Sequence, residues 1–272
     1  MAKLTVEYLL EDLTPAERER AERVESVLPA LKEAAEDVDK NGEFHRPHVK
    51  TLSDAGLLGL VVPTEYGGMG GGLRDWAGAC FAMGTVCAST GLAYFFHNTS
   101  ASRGNLALQA LDAGLFNDEE APQVRAFAEK VLHTMGRDGK WLANYASEEV
   151  KSEQAAVTIT TEAKKVDGGW LLNGVKSFGC AIGIADQYLV TASLAGVNDA
   201  SGLCTFFVDR DADGSSPRIE WDAMGMRGTA TNGLVLKDVF VAQDSAMAIQ
   251  GAFVRSCTMS KSGFVGNQVA AS

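Results

Sequence analysis

A ten-residue segment near the middle of the chain combines a turn signal with side chains suited to a flat ligand. It spans residues 172–181 and reads LNGVKSFGCA. Phe178 and Cys180 are two residues apart, so in an extended chain their side chains share one face. An apolar wall beside a small hydrogen-bonding group is what an aromatic redox ring requires. The pattern also fits an ordinary hairpin that turns at Asn173 and Gly174, so both interpretations stay open.

A second glycine-rich segment, YGGMGGG at residues 66–72, has the composition of a phosphate-binding loop. It lacks the GxGxxG spacing and the lysine of a Walker motif, so we predict a structural turn. No group of His, Cys or acidic residues has metal-ligand spacing, and we predict no metal site. Nor does any GxSxG or Cys–His pattern predict nucleophilic catalysis.

Two halves with different periodicity must position these residues. Apolar residues recur at helical spacing up to about residue 138, beginning with a capping box at Thr14 and Glu17. Helices are expected at about 15–41, 47–56, 74–88, 91–112 and 118–135. From Lys140 onward short strands alternate with turn residues. Strands are expected at 157–161, 170–172, 187–192, 203–208 and 233–241.

The predicted fold class is therefore α+β with segregated domains. An N-terminal all-helical domain covers residues 1–138, and an antiparallel β-barrel or sandwich covers 139–245. Residues 246–272 form a weakly helical tail whose apolar side chains need a partner surface. We expect this tail to be the start of a C-terminal helical domain that is otherwise missing.

Composition restricts the partners and the compartment. The chain has 272 residues, 46% of them hydrophobic, and a formal net charge of -11. This acidic balance argues against nucleic acid and against anionic membrane surfaces. No 18-residue apolar run is present, so we predict no membrane span. Five scattered cysteines without a CxxC pair, and no visible signal peptide, favour a cytoplasmic protein without disulfides.

Five short motifs, in order, resemble those of the acyl-CoA dehydrogenase family. PTEYGG at 63–68 resembles the family's VPxEYGG, and DGGWLLNGVK at 167–176 resembles its DGxxLNGxK hairpin. AD at 185–186, MGMRGT at 224–229 and DVFV at 238–241 follow in the same order as in the family. Each motif is short, but the ordered set covers residues from about 45 to 245.

The resemblance implies FAD, or alternatively FMN, bound between the β-domain and a C-terminal helical bundle. It places Phe178 against the flavin, with Gly179 and Cys180 following at the reactive edge of the ring. Tyr145 and Ser147 belong to a segment similar to YxxTEP, which covers the pyrimidine end. Two departures stand out: SEEVKSE at 147–153 replaces TEPGxGSD, and Cys180 supplies a thiol, a weaker donor, where a hydroxyl is usual.

The implied reaction is α,β-dehydrogenation of an acyl-CoA, with electrons passed to an electron-transfer flavoprotein. In the family the glutamate that removes the α-proton lies in the C-terminal helical domain. The tail after Ser245 contains no Asp or Glu, so we expect the general base not to be in this chain. That expectation predicts a homo-oligomer, or a hetero-oligomer whose second chain supplies the missing helical domain.

Two alternatives to the dehydrogenase stay open. The first is a flavin-dependent monooxygenase of the dibenzothiophene-desulfurising type, which shares the fold and receives reduced flavin from a flavin reductase. In that branch His97 would assist near the flavin, whereas the other interpretation makes it a buried core or capping histidine. The second is a non-catalytic or partner-dependent subunit. Arg227, in the MGMRGT turn, contacts an anionic part of the substrate or is a structural arginine of the turn.

Overall fold

A computed structural model describes residues 12–149, 159–219 and 221–261 of the chain. The predicted capping box forms at the first helix, α1 (Pro15–Glu33), where the Glu17 carboxylate accepts from the Thr14 N–H at 2.8 Å. A break at one residue separates α1 from α2 (Ala35–Asn41). The chain then leaves the helix through Gly42 in the left-handed region, at φ 67°.

Five further helices follow in the described residues of the helical part. They are α3 (Pro47–Asp54), α4 (Leu73–Val86), α5 (Ala88–Thr99), α6 (Ala101–Asp112) and α7 (Ala121–Gly136). The expectation of one helix over 91–112 is wrong, because the helix is interrupted at Ser100, between α5 and α6. At this break the Thr99 hydroxyl donates to the Phe96 carbonyl at 2.7 Å, and the Ser102 hydroxyl donates to the Thr99 carbonyl at 2.6 Å. Such side-chain bonds compete with the helical backbone for its acceptors.

Across the residues that the structure describes, the strands that follow form one mixed eight-stranded sheet. They are β1 (Leu142–Tyr145), β2 (Glu162–Val166), β3 (Gly169–Gly179), β4 (Gln187–Leu194), β5 (Leu203–Asp209), β6 (Ser215–Arg218), β7 (Asn232–Ala242) and β8 (Ala246–Met247). The order is β6-β7-β3-β2-β4-β5-β8, with β1 also paired to β4. A helical half followed by a β-sheet half confirms the coarse architecture. The purely antiparallel arrangement is wrong, because β1 and β2 both run parallel to β4.

Details of three predicted strands also differ. Residues 157 and 158 lie outside the described residues, and β2 begins only at Glu162. The tight turn at Asn173 and Gly174 is wrong: β3 runs through both residues, and its register against β7 shifts there. The tail begins with β8 paired to β5, followed by α8 (Ala252–Thr258). Residues 262–272 of the predicted tail lie outside the described residues.

The helices and the sheet share one continuous hydrophobic core. Trp141, fully buried just before β1, packs edge-on against Phe44 with ring centroids 5.6 Å apart. Polar links cross the same boundary, since the Ser53 hydroxyl donates to the Gly139 carbonyl and the Gln123 amide donates to the Ala246 carbonyl. Within the described ranges, no helix is both long and apolar enough to cross a bilayer.

Candidate functional site

A cavity of about 270 Å³ lies where the break between α5 and α6 faces the sheet. One side, here called the helix wall, consists of Phe96, Thr99, Ser102 and Arg103. The opposite side, the strand wall, consists of Asn144, Ala146, Ser147, Phe178, Gly179, Cys180 and Thr231. The strand wall is assembled from the ends of β1 and β3 and from the loop before β7. Three separate stretches of sequence therefore meet at one surface.

Four predicted site residues come together on the strand wall: Ser147, Phe178, Gly179 and Cys180. Phe178 is one of the exposed large apolar side chains, with 54% of its surface accessible, and it lines the cavity. Its ring meets the Trp221 ring edge-on, with centroids 6.2 Å apart. An exposed aromatic ring in a cavity lining provides a flat apolar surface on which a planar ligand can lie.

Tyr145 supports the strand wall from behind and does not line the cavity. Its ring is fully buried, and its hydroxyl donates to the Gly179 carbonyl at 3.2 Å. A Cβ atom at position 179 would lie 2.2 Å from the Tyr145 ring, so only glycine allows the strand to approach this closely. Burial keeps the pKa of Tyr145 well above its usual value, so the phenol is neutral.

Cys180 is held on the strand wall by Thr231. The Cys180 Sγ and Thr231 Oγ1 atoms are 3.0 Å apart, and burial raises the pKa of the thiol to about 11. Cys180 is therefore a protonated thiol at neutral pH. The chain next to each partner passes through the left-handed region at an alanine, Ala181 with φ 64° and Ala230 with φ 47°. Non-glycine residues adopt this conformation at a cost, which often accompanies a functional site.

Ser147 lies beside a buried ion pair that joins its segment to β3. The Glu148 carboxylate and the Lys176 ammonium are 2.6 Å apart, with 2% and 0% of their side chains exposed. The same carboxylate accepts from the backbone N–H and hydroxyl groups of Thr160 and Thr161. The Ser147 carbonyl in turn accepts from the N–H of Ser177 at 3.0 Å. The rim of the cavity is thus fixed to the strand that carries Phe178.

This ion pair is charged in the folded protein. Burial alone would raise the pKa of Glu148, but the hydrogen bonds from Lys176, Thr160 and Thr161 outweigh it and lower the pKa to about 2. Burial lowers the pKa of Lys176, against the opposing effect of Glu148. Two charges out of water are tolerated only when both are paired and hydrogen-bonded, as they are here.

His97 is not brought to the cavity. The imidazole is fully buried: Nε2 lies 2.8 Å from the Leu58 carbonyl, and Nδ1 accepts from the Leu142 N–H at 3.0 Å. This pattern requires the neutral tautomer with the proton on Nε2. Burial accordingly lowers the pKa of His97 to about 4. With both nitrogens engaged by backbone groups, the histidine connects α5 to β1.

Arg227 also lies away from the cavity lining. Its guanidinium is 3.5 Å from the Asp39 carboxylate on α2. The turn that it begins packs directly on α2, where a Cβ at Gly228 would lie 2.2 Å from a Val38 methyl. The described contacts of Arg227 are therefore those of an arginine that fixes a turn against the helices.

Sequence reasoning missed Arg103, Thr231 and the Glu148–Lys176 pair. A signal for the pair was available, since Lys176 shares the alternating phase of the buried residues Trp170 and Leu172 in β3. A lysine in that phase needs a buried acid as partner. No comparable local signal identifies Arg103, because its place in the cavity depends on how α6 packs against the sheet.

Two family models match this chain. One describes the N-terminal domain of acyl-CoA dehydrogenases and matches residues 14–110, and the other describes the middle domain and matches residues 143–239. Among curated proteins, L-evernosamine nitrososynthase of Micromonospora sp. is 30% identical over 220 residues, which are 80% of this chain and 49% of that protein. Mitochondrial isovaleryl-CoA dehydrogenase of Oryza sativa subsp. japonica is 29% identical over 203 residues, 74% of this chain and 46% of that protein.

A solved structure also aligns with almost the whole chain. It is KijD3 in complex with FMN and dTDP-3-amino-2,3,6-trideoxy-4-keto-3-methyl-D-glucose. The TM-score is 0.72 at 26% identity, and the alignment covers 97% of this chain and 63% of that one. The chain spans about half the length of the curated relatives that it matches.

Proposed function

Because this chain belongs to the acyl-CoA dehydrogenase family, we propose that it forms the flavin-facing part of an FAD- or FMN-dependent oxidoreductase. The observation that carries this proposal is the strand wall, where the exposed Phe178 ring lies in the same cavity lining as the Cys180 thiol. A flavin has flat apolar faces and a polar edge, and this wall matches both.

The chain's own residues would bind and orient the ring. Phe178 would lie against one face, and Ser147 and Cys180 would form hydrogen bonds with its edge. Asn144 adds an acceptor, because its Oδ1 is buried without a hydrogen-bond partner among the described residues. Tyr145 would hold the wall in place from behind through its bond to Gly179.

When bound, a flavin would accept a hydride from the substrate or, once reduced, react with oxygen. Our first candidate reaction is dehydrogenation of an acyl-CoA, with an electron-transfer flavoprotein as the electron acceptor. This reaction needs a base for the α-proton. The cavity-lining side chains of the described ranges include neither a carboxylate nor an imidazole. The base would therefore come from a further helical domain, in a homo-oligomer or a hetero-oligomer.

The second candidate is flavin-dependent monooxygenation. It is favoured by the same cavity lining, since oxygen transfer to an amine needs no carboxylate to remove an α-proton. The likeness to a nitrososynthase and to KijD3 points in the same direction. Reduced flavin would come from a flavin reductase, and the substrate class would be a nucleotide-linked amino sugar.

Flavin binding tests the core of the proposal. Purified protein is titrated with FAD and separately with FMN, desalted, and measured between 300 and 550 nm. Phe178→Ala should weaken binding by about 10- to 100-fold, because the ring loses its apolar wall. Phe240→Ala is a matched control, since 53% of Phe240 is exposed but it does not line the cavity. Equal flavin affinity in the two variants would contradict the proposal, and no flavin binding by the parent chain would favour a partner-dependent subunit.

Two assays separate the candidate reactions. Anaerobic loss of the 450 nm band on adding isovaleryl-CoA or butyryl-CoA would support dehydrogenation. Oxygen uptake that depends on a dTDP-linked amino sugar, with NADH and a flavin reductase present, would support monooxygenation. Each assay is run with the chain alone and with any protein that co-purifies with it.

A further inference from the structure

Arg103 is the one charged side chain in the cavity lining of the described ranges. It extends from α6 on the helix wall, opposite the proposed flavin surface. Its guanidinium carbon lies 4.8 Å from the centre of the Phe253 ring on α8. This stacking orients the guanidinium without using its N–H groups.

Within the described part of the chain, Arg103 has no carboxylate partner and no side-chain hydrogen bond. Other donors of the cavity are engaged inside the protein: Thr99 and Ser102 bond to backbone carbonyls, and Asn144 donates to Thr99 and Ser100. The bond between Cys180 and Thr231 uses one of their two hydrogens. An arginine has five N–H donors, so Arg103 brings the largest unused donor capacity of the cavity lining.

Arg103 is a partly buried residue of the cavity lining. Burial lowers the pKa of Arg103 below its ordinary value, against a smaller opposing effect of Cys257. Arginine nevertheless stays protonated, so the cavity holds a positive charge. A planar guanidinium can form bidentate hydrogen bonds with the oxygens of a carboxylate or a phosphate.

We propose that Arg103 binds an anionic oxygen group of the substrate, a carboxylate or a phosphate, on the helix wall. This rests on the proposed function in one respect: a flavin on the strand wall leaves the helix wall to the substrate. Arg103 is then a specificity-determining residue that selects acidic substrates over neutral ones of the same shape.

Three small aromatic probes that share a phenyl ring test this selection. Benzoate carries a carboxylate, phenyl phosphate carries a phosphate, and benzamide carries no charge. Their binding to the full chain is measured by calorimetry at constant ionic strength, with and without flavin. Arg103→Gln removes the charge, and Arg103→Lys keeps the charge but removes the paired N–H donors of the guanidinium. Arg23→Gln is the matched control, because Arg23 pairs with Glu19 on the exposed side of α1.

We expect at least one anion to bind the parent chain about 10- to 100-fold more tightly than benzamide. Arg103→Gln should abolish that advantage, Arg103→Lys should retain part of it, and Arg23→Gln should leave it unchanged. The anion that is preferred identifies the group as carboxylate or phosphate. Equal binding of all three probes by the parent chain overturns the inference, as does an advantage that survives in Arg103→Gln.

Folding and flavin binding are checked separately. Circular dichroism melts show whether each variant folds. Where Arg103→Gln does not fold, the Arg103→Lys variant gives the answer. A severalfold loss of anion binding supports recognition of the anion by paired guanidinium N–H groups, and full retention refutes it. A chain that binds no flavin but loses anion binding in Arg103→Gln does not form the proposed flavin site by itself, and the anion site is left standing.

Discussion

Replacing Glu148 with glutamine should destabilise the fold strongly, because it leaves the buried Lys176 charge without a counter-charge. The amide nitrogen or oxygen of glutamine must lie where the carboxylate now accepts from Lys176 at 2.6 Å. The other described acceptor for the ammonium is the Ala146 carbonyl at 3.4 Å, which is a weak contact. Removing one partner of a buried pair costs about 3–5 kcal/mol.

An independent route gives a similar magnitude. The pKa of Glu148 falls from an ordinary value of 4.5 to about 2 on folding, so the unfolded chain takes up the proton first as the pH falls. The stabilisation is complete above about pH 4.5 and is lost between pH 4.5 and 2. A shift of this size corresponds to about 3 kcal/mol.

Thermal unfolding followed by circular dichroism measures the effect. Glu148→Gln should lower Tm by roughly 6–20 °C at pH 7 for a chain of this size. The difference from the parent chain should shrink as the pH falls from 4.5 to 2. The control is Glu149→Gln: the neighbouring carboxylate, 59% exposed, pairs with Arg218, and its loss should cost about 1 kcal/mol or less.

A double variant, Glu148→Gln with Lys176→Met, gives the strictest test. Removing both charges should cost less than the sum of the two single changes, because neither charge is then left unpaired. Additive losses would refute the reasoning. So would a loss below about 1 kcal/mol in Glu148→Gln.

Two further outcomes follow from buried side chains. Gly179→Ala should lower the free energy of unfolding by about 1–3 kcal/mol and weaken flavin binding, because its Cβ would lie 2.2 Å from the Tyr145 ring. Gly78→Ala is the control, because its Cβ would meet open space and should not destabilise the fold. Similar chemical denaturation of the two variants would contradict this prediction. The pKa of His97 is about 4 in the folded chain and 6.5 in the unfolded chain, so the unfolded chain gains the proton first as the pH falls. Through His97 alone, the free energy of unfolding should therefore fall by about 2–3 kcal/mol between pH 7 and 4.5. In His97→Gln, which cannot take up that proton, urea titrations should show a smaller pH-dependent loss, and an unchanged loss would count against this assignment.

One part of the strand wall, Phe178 to Cys180, could be predicted from sequence because these residues are close together in the chain. The spacing of Phe178 and Cys180 placed both on one surface, and the structure brings Ser147 to the same cavity. The change from helical to strand periodicity also located the sheet, whose first strand begins at Leu142. These features depend on local spacing, which a sequence displays directly.

Features that depend on distant pairing were not predictable in the same way. The parallel pairing of β1 with β4 joins Leu142 to Gln187, and the ion pair joins Glu148 to Lys176 across 28 positions. The predicted turn at Asn173 and Gly174 was wrong because this turn-favouring dipeptide lies inside a long strand. There, pairing with β7 outweighs the local preference. The helix wall was missed because it faces the strand wall only through tertiary packing, which local spacing does not show.

The junction between helices and sheet also bears on how this chain can be dissected. Leu142, at the start of β1, donates its N–H to His97, and the Ser53 hydroxyl donates to the carbonyl of Gly139. Cutting at residue 138 would separate both pairs and expose Trp141, now fully buried, to water. Neither half should fold independently. Expression of the β half alone should therefore yield aggregated protein. Co-expressed as two polypeptides, the halves should instead complement each other, because the partner fragment restores every bond across the cut.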